Sequence, residues 1–281
     1  MSKGILGLCL EFCVLCMTCS AGKCQGQVSG VGQDSADMEK DVKCDTIPLG
    51  ATSLLAAYPY FIVGYADGYL LLSDSSKILY DDNLNKSFEQ KLNNADPEDM
   101  FSFKYDIKAD KPKYLQDAGR SRCERLFKFM YGSNEAEVRR NLVKVDWFGG
   151  SVIFTKINGA ADSLRSVARE LKKHPELKPY LQSCGTFYWR KVRGSNRLSA
   201  HSYGIAIDIG VSYSDYWLWK NKGRKETDTI PYVNRMPQTL IDIFEQHGFI
   251  WGGRWYHYDT MHFEYRPEVL SGCIDKLQLE I

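Results

Sequence analysis

The sequence predicts an α+β fold, and three observations carry that expectation. Apolar or alternating runs bounded by turn residues recur at 60–72, 143–157, 204–209 and 261–265, which is strand patterning. Leu164, Val167, Ala168 and Leu171 fall at i, i+3, i+4 and i+7, a stripe that only a helix places on one face. A hydrophobic content of 44% over 281 residues is ample for a sizeable core.

In chain order, Lys3, an apolar run over 4–17 and the small residues Ser20-Ala21-Gly22 read as a signal peptide at 1–21. The run is interrupted by Glu11 and is too short to span a bilayer, so export to the periplasm or cell envelope is expected rather than a membrane helix. Cys19 and Cys24 are candidates for a lipidated cysteine giving peripheral membrane attachment, although the residues before each fit a lipobox poorly. Residues 22–45, rich in Gly, Ser, Gln and Asp, read as a flexible tether.

The segment 46–146 reads as an N-terminal extension with no separate function of its own. Ala66-Asp67-Gly68 predicts the turn of a hairpin, 77–80 a third short strand, and 88–92 a short helix. Ala118, Cys123, Leu126, Phe127 and Met130 predict a helix over 115–131 stopped by Gly132, with a new helix starting at 133–137. The domain 147–281 holds two strands about Gly149-Gly150, the helix carrying Leu164 to Leu171, and a later helix set by Pro237, Leu240, Ile241, Phe244 and Gly248. His174 and His247 fall at the ends of these helices and are read as helix-end groups.

A formal charge of +1 provides no field for nucleic acid, which is excluded as a partner. Of nine cysteines, only Cys44, Cys123, Cys184 and Cys273 lie clear of the leader, and no Cys-x-x-Cys occurs among them. A structural zinc knuckle is therefore excluded, while disulfides and isolated thiols both stay open.

The chemistry concentrates in Ser199-Ala200-His201-Ser202-Tyr203-Gly204-Ile205-Ala206-Ile207-Asp208 and in Asp259-Thr260-Met261-His262-Phe263-Glu264. Alternation places Asp208 opposite the Ile205, Ile207 and Ile209 face of its strand, and puts His262 and Glu264 together on one face of theirs. Two imidazoles and a carboxylate from His201, Asp208 and His262 suit Zn2+ with a fourth position open, the pattern of a catalytic site. Asp259 is placed to take a proton from water in that position. Glu264 is expected to orient a ligand imidazole, with the base role as its alternative, and His257 is assigned to the loop.

Ser-x-His-x-x-Gly-x-Ala-x-Asp followed by Asp-x-x-His-Phe-Glu resembles the zinc-dependent D-Ala-D-Ala carboxypeptidase and L-Ala-D-Glu endopeptidase family. The likeness covers about 152–266, including Phe187-Tyr188-Trp189-Arg190, Arg197-Leu198 and Gly248-Phe249-Ile250-Trp251-Gly252-Gly253. It implies an antiparallel sheet flanked by helices with zinc in a groove, the D-Ala-D-Ala peptidase and hedgehog-like fold, here with an N-terminal extension. It also implies zinc on His201, Asp208 and His262, Asp259 as base, an oxyanion-binding arginine best matched by Arg190, and support of the ligand loop by Ser199. The expected function is a zinc metallopeptidase cleaving peptidoglycan stem peptides, of L-Ala-D-Glu endopeptidase or D-Ala-D-Ala carboxypeptidase type, with Asp-activated zinc-bound water. The alternative is a non-catalytic zinc-containing module that binds the cell wall.

Overall fold

The structure, a computed structural model, describes residues 46–271. The expected signal peptide and tether, Cys19, Cys24, Cys44 and Cys273 lie outside those residues. Among the described residues no helix is long and apolar enough to cross a membrane.

The extension begins with α1 (Leu49–Ala57), a helix that the sequence pattern did not announce because its apolar residues are not gathered on one stripe. The expected hairpin follows as β1 (Ile62–Ala66) and β2 (Tyr69–Leu72), with β3 (Lys77–Leu79) completing an antiparallel sheet. Asp67 and Gly68 take φ of 50° and 79°, the left-handed pair that a two-residue hairpin turn requires. The short helix expected at 88–92 is α2 (Phe88–Asn93), where the Ser87 hydroxyl accepts from Gln90 N–H and the Gln90 side chain accepts from Ser87 N–H.

The helix expected over 115–131 is shorter than its apolar spacing suggests. Only α3 (Glu124–Tyr131) is helical, because Leu115 and Gly119 hold φ of 53° and 92° and break any helix through them. Asn134 caps α4 (Glu135–Arg139) through its side-chain oxygen, which accepts from Glu137 N–H.

A second hairpin, β4 (Leu142–Trp147) and β5 (Gly150–Thr155), leads into α5 (Ala160–Leu171), whose buried residues include Leu164, Val167, Ala168 and Leu171 as expected. The remaining elements are β6 (Ser183–Gly185), β7 (Ala206–Ile209), α6 (Trp217–Lys220), α7 (Gln238–Gln246), β8 (Phe249–Trp251) and β9 (His262–Tyr265). These strands form one antiparallel sheet in the order β6-β7-β9-β8, and every strand pair among the described residues is antiparallel, which makes the fold α+β.

The two faces of this sheet have different fates. Ile207, Ile209, Phe249 and Phe263 join Leu164, Leu171, Leu240 and Phe244 in the main core, with the Phe244 and Phe263 rings stacked 4.0 Å apart. Each such side chain contributes roughly 1.5–3 kcal/mol when fully buried. On the other face, Ile250 is covered by Leu92, Phe103, Tyr105 and Ala118 of the extension together with Trp255 and Leu270. Asp208 and His262 on that face line a groove.

Candidate metal centre

Antiparallel pairing of β7 with β9 sets Asp208 directly opposite His262 and Ala206 opposite Glu264. Residues paired in this way point to the same face, so the carboxylate and the imidazole meet as a consequence of register alone. His201 arrives from a 3-10 turn over Ala200–Tyr203, which Gly204 ends with φ of 67°. A side chain on Gly204 would strike Leu142 as well as adopting that strained backbone. One ligand atom from each of His201, Asp208 and His262 lies within 4.8 Å of the others.

The hydrogen bonds around the rings determine which nitrogens face inward. His201 Nδ1 donates to the Thr186 carbonyl at 2.7 Å, leaving Nε2 turned to Asp208 Oδ2 at 3.3 Å. His262 Nε2 faces Glu264 Oε2 at 3.3 Å, leaving Nδ1 toward Asp208 Oδ1 at 2.9 Å. Each imidazole therefore has one nitrogen held by a protein acceptor and the other directed at the shared centre, the arrangement by which outer groups fix a ligand's tautomer and ring direction. This donor set fits a zinc ion: two neutral imidazoles, one carboxylate and an open side toward the groove.

Electrostatics follow from that packing. Burial would raise Asp208 and lower His262, but the mutual contacts prevail: Asp208 is held well below the usual carboxylate range, and its bonds with Asp208 and Glu264 push His262 up to about 10. Glu264 is fully buried, yet Arg122, His262 and Arg266 keep it well below its ordinary value. Its carboxylate accepts from Arg266 at 2.9 Å and pairs with Arg122 at 3.3 Å, so all that surrounds it is devoted to holding the His262 ring.

Asp259 lines the same groove. Its loop is fixed by backbone bonds from Asp259 N–H to Gly252 O and from His262 N–H to Asp259 O. A Cβ on Gly252 would lie 2.5 Å from the Asp259 carbonyl, so only glycine permits this approach. Asp259 Oδ1 is buried and has no hydrogen-bond partner, and burial pushes the carboxyl up to about 6. An unpartnered carboxylate oxygen in a desolvated place is poised to exchange a proton with a ligand in the groove.

Arg190 also lines the groove, and its side chain is exposed. Ser199 acts through its backbone, its N–H donating to Arg190 O and its carbonyl accepting from Ser202 N–H. The side-chain bond of this loop comes from Ser202, whose hydroxyl accepts from Arg190 N–H at 2.9 Å and donates to Arg190 O at 2.7 Å.

Sequence reasoning missed the contribution of the extension. Arg122 reaches Glu264 with NH1 and donates from NH2 to the Leu198 carbonyl at 3.1 Å, joining both motifs. Asp117 is fully buried, pairs with His257 Nδ1 at 2.6 Å and accepts from its backbone N–H, while Arg120 pairs with the same Asp117. The available signal was a glycine and two arginines inside a segment read as helix. His257 thus anchors the loop before Asp259 to the extension. Two further acidic clusters, around Asp82 and Asp96 and around Asp96 and Asp99, already hold the Lys86 ammonium at 2.7, 2.9 and 2.6 Å from Asp82, Asp96 and Asp99. Cys123 is buried and Cys184 exposed, and neither is paired.

Residues 193–265 match the family model described as D-alanyl-D-alanine carboxypeptidase. Neither a curated protein nor a solved structure matches the chain. The matched segment carries His201, Asp208, Asp259, His262 and Glu264, and excludes Arg190 and every residue of the extension.

Proposed function

We propose that the protein is a zinc metallopeptidase that hydrolyses peptide bonds in peptidoglycan stem peptides. One observation carries the reading: His201, Asp208 and His262 converge in the same groove as Asp259, a buried carboxylate with a free oxygen. Zinc bound to those three side chains would supply Lewis acidity and ease deprotonation of water at neutral pH. Asp259 accepts the proton of the attacking water and returns it to the leaving amine, a shuttle for which a carboxyl held near neutrality is suited. Glu264 and the Thr186 carbonyl fix the two imidazoles throughout. Arg190, at the groove wall, offers a guanidinium to the negative charge that develops on the scissile carbonyl oxygen.

Asp rather than Glu at position 259 resembles the branch of the family that cleaves L-Ala-D-Glu bonds, and we assign that bond ahead of D-Ala-D-Ala. Export, proposed from the leader, would bring the protein to this substrate. The test is product analysis by mass spectrometry after incubation with defined muropeptides. Zinc-loaded protein should release stem-peptide fragments. A chelator should stop release, and Asp259→Ala should slow it by about 10²–10⁴-fold while the protein stays folded. Digestion by Asp259→Ala at the normal rate would falsify the proposed proton shuttle.

A further inference from the structure

Between β8 and β9 the chain from Gly252 to Met261 forms no strand, and Asp259 meets a neighbouring segment through an isolated bridge to Tyr216. The residues just before Asp259 are stitched instead to one short stretch of the extension. Trp255 Nε1 donates to Ala118 O, Tyr256 N–H to Gln116 O at 3.0 Å, and His257 N–H to Asp117 Oδ1 at 3.0 Å. The His257 ring adds a fourth bond, its Nδ1 lying 2.6 Å from Asp117 Oδ2, and neither side chain has any exposed surface.

The other ring nitrogen reaches a third piece of chain. His257 Nε2 faces Glu226 O at 2.9 Å, on a segment whose Lys222, Gly223, Lys225, Glu226 and Thr227 line the groove. A ring between two acceptors donates to both at once only as the protonated imidazole. Burial would raise Asp117, but Arg120 and His257 hold its carboxyl below the ordinary value, so it supplies the anion of the pair. Trp217, Tyr256 and Phe88 close around the ring, their centroids 4.7, 5.1 and 5.7 Å away.

A buried charge pair is a weak source of net stability, which leaves the choice of one geometry as what it contributes. Geometry matters here because Asp259 follows two residues later. Its Oδ1 has no hydrogen-bond partner, so the direction of the carboxyl is set by the backbone that carries it.

We propose that Asp117 and His257 are positioning residues for the reaction: they clasp the loop that carries Asp259 to the groove segment 222–227, and turnover depends on them although neither meets the substrate. The proposal rests on the peptidase reading above and extends its machinery to Asp117, far outside the matched 193–265.

The experiment uses the whole zinc-loaded protein, the synthetic stem pentapeptide L-Ala-γ-D-Glu-L-Lys-D-Ala-D-Ala, and the variants Asp117→Asn, His257→Gln and the two combined. Rates are expressed per folded, zinc-bearing molecule, which removes losses due to misfolding. The expected result is kcat about 10–100-fold lower in each single variant, the effect of a misplaced reacting group. KM should stay within about twofold, since no contact with the substrate is lost. The combined variant should be no slower than the slower single one, because the two residues act as a unit. Normal kcat in either single variant, a rise in KM alone, or losses that multiply in the combined variant overturns the proposal.

Trypsin reads the clasp without any peptide substrate, because Lys222, Arg224 and Lys225 are exposed on the clasped segment. Cleavage there, well below the melting temperature, should be about tenfold faster in Asp117→Asn, as expected for losing a hydrogen bond to a charged group. If the unaltered protein turns over no peptide, the peptidase assignment falls and trypsin alone judges the clasp: faster cleavage keeps it, and equal cleavage overturns it. Turnover with both single variants at the normal kcat keeps the peptidase assignment and overturns the clasp.

Discussion

At the scale of single residues, the centre depends on how a few side chains share protons. Asp259 must be ionised to accept one, and burial holds its carboxyl at about 6 without a metal. A bound cation favours the charged form, so the working value lies at or below that figure. We expect kcat/KM of the zinc-loaded protein to fall as pH drops through an apparent pKa no higher than about 6. A pH-rate profile with its acidic limb centred well above that value would give the base role to another group. Much of this site was legible in the sequence. Asp208 and His262 sit at strand positions whose face follows from alternation, and their meeting needed only antiparallel register. The partners of each imidazole were less legible: Glu264 could be placed beside His262 by the same alternation, whereas the Thr186 carbonyl is a backbone atom that no side-chain pattern announces.

At the scale of elements, the departure from expectation lies in 115–131. Apolar spacing there suggested one helix, but the first half is an irregular segment in which Asp117, Gly119, Arg120 and Arg122 meet residues of the second half of the chain. Gly119 O accepts from Arg266 at 2.6 Å, and Arg266 in turn pairs with Glu264 and Glu268. Glu268 accepts from Tyr58 OH at 2.6 Å, so a buried path runs from His262 through Glu264, Arg266 and Glu268 to the end of α1. Its last link is invisible in local sequence, because Tyr58 and Glu268 lie 210 positions apart. Arg122→Ala would remove one cation from Glu264 and release the Leu198 carbonyl. Zinc affinity, measured by competition with a chromophoric chelator, should weaken by about 10–100-fold, the usual effect of losing an outer partner of a metal ligand. Unchanged affinity would mean that Arg266 alone suffices to hold Glu264.

For the whole molecule, the same charges couple metal binding to stability. In metal-free protein, His262 is raised from its ordinary 6.5 to about 10 by Asp208 and Glu264 against the opposing effect of burial. A raised folded value means that the protonated ring stabilises fully below pH 6.5, and that this contribution is lost as pH climbs toward 10. Asp259 acts in the same sense at lower pH, its contribution fading from 3.8 to about 6. Zinc competes with the proton at His262, so its stabilising effect grows as protons leave. The difference in melting temperature between zinc-loaded and chelated protein should therefore widen from pH 6 to pH 9. A constant difference would show that zinc does not displace a proton from this ring. The fold class and both core helices could be read from periodicity. What covers the sheet's open face could not, because Ile250 and Leu92 meet only through tertiary packing.

The route by which Arg122 and Arg266 join the front half of the chain to Glu264 bears on attempts to shorten or graft this protein. The stretch 193–265 looks portable, since it holds the three candidate ligands and the candidate base. Cut out by itself, it would leave Glu264 without either guanidinium and strip Ile250 of its cover from Leu92, Phe103, Tyr105, Ala118 and Leu270. A chimera that transplants it would have to bring Arg122 and Arg266 along as well.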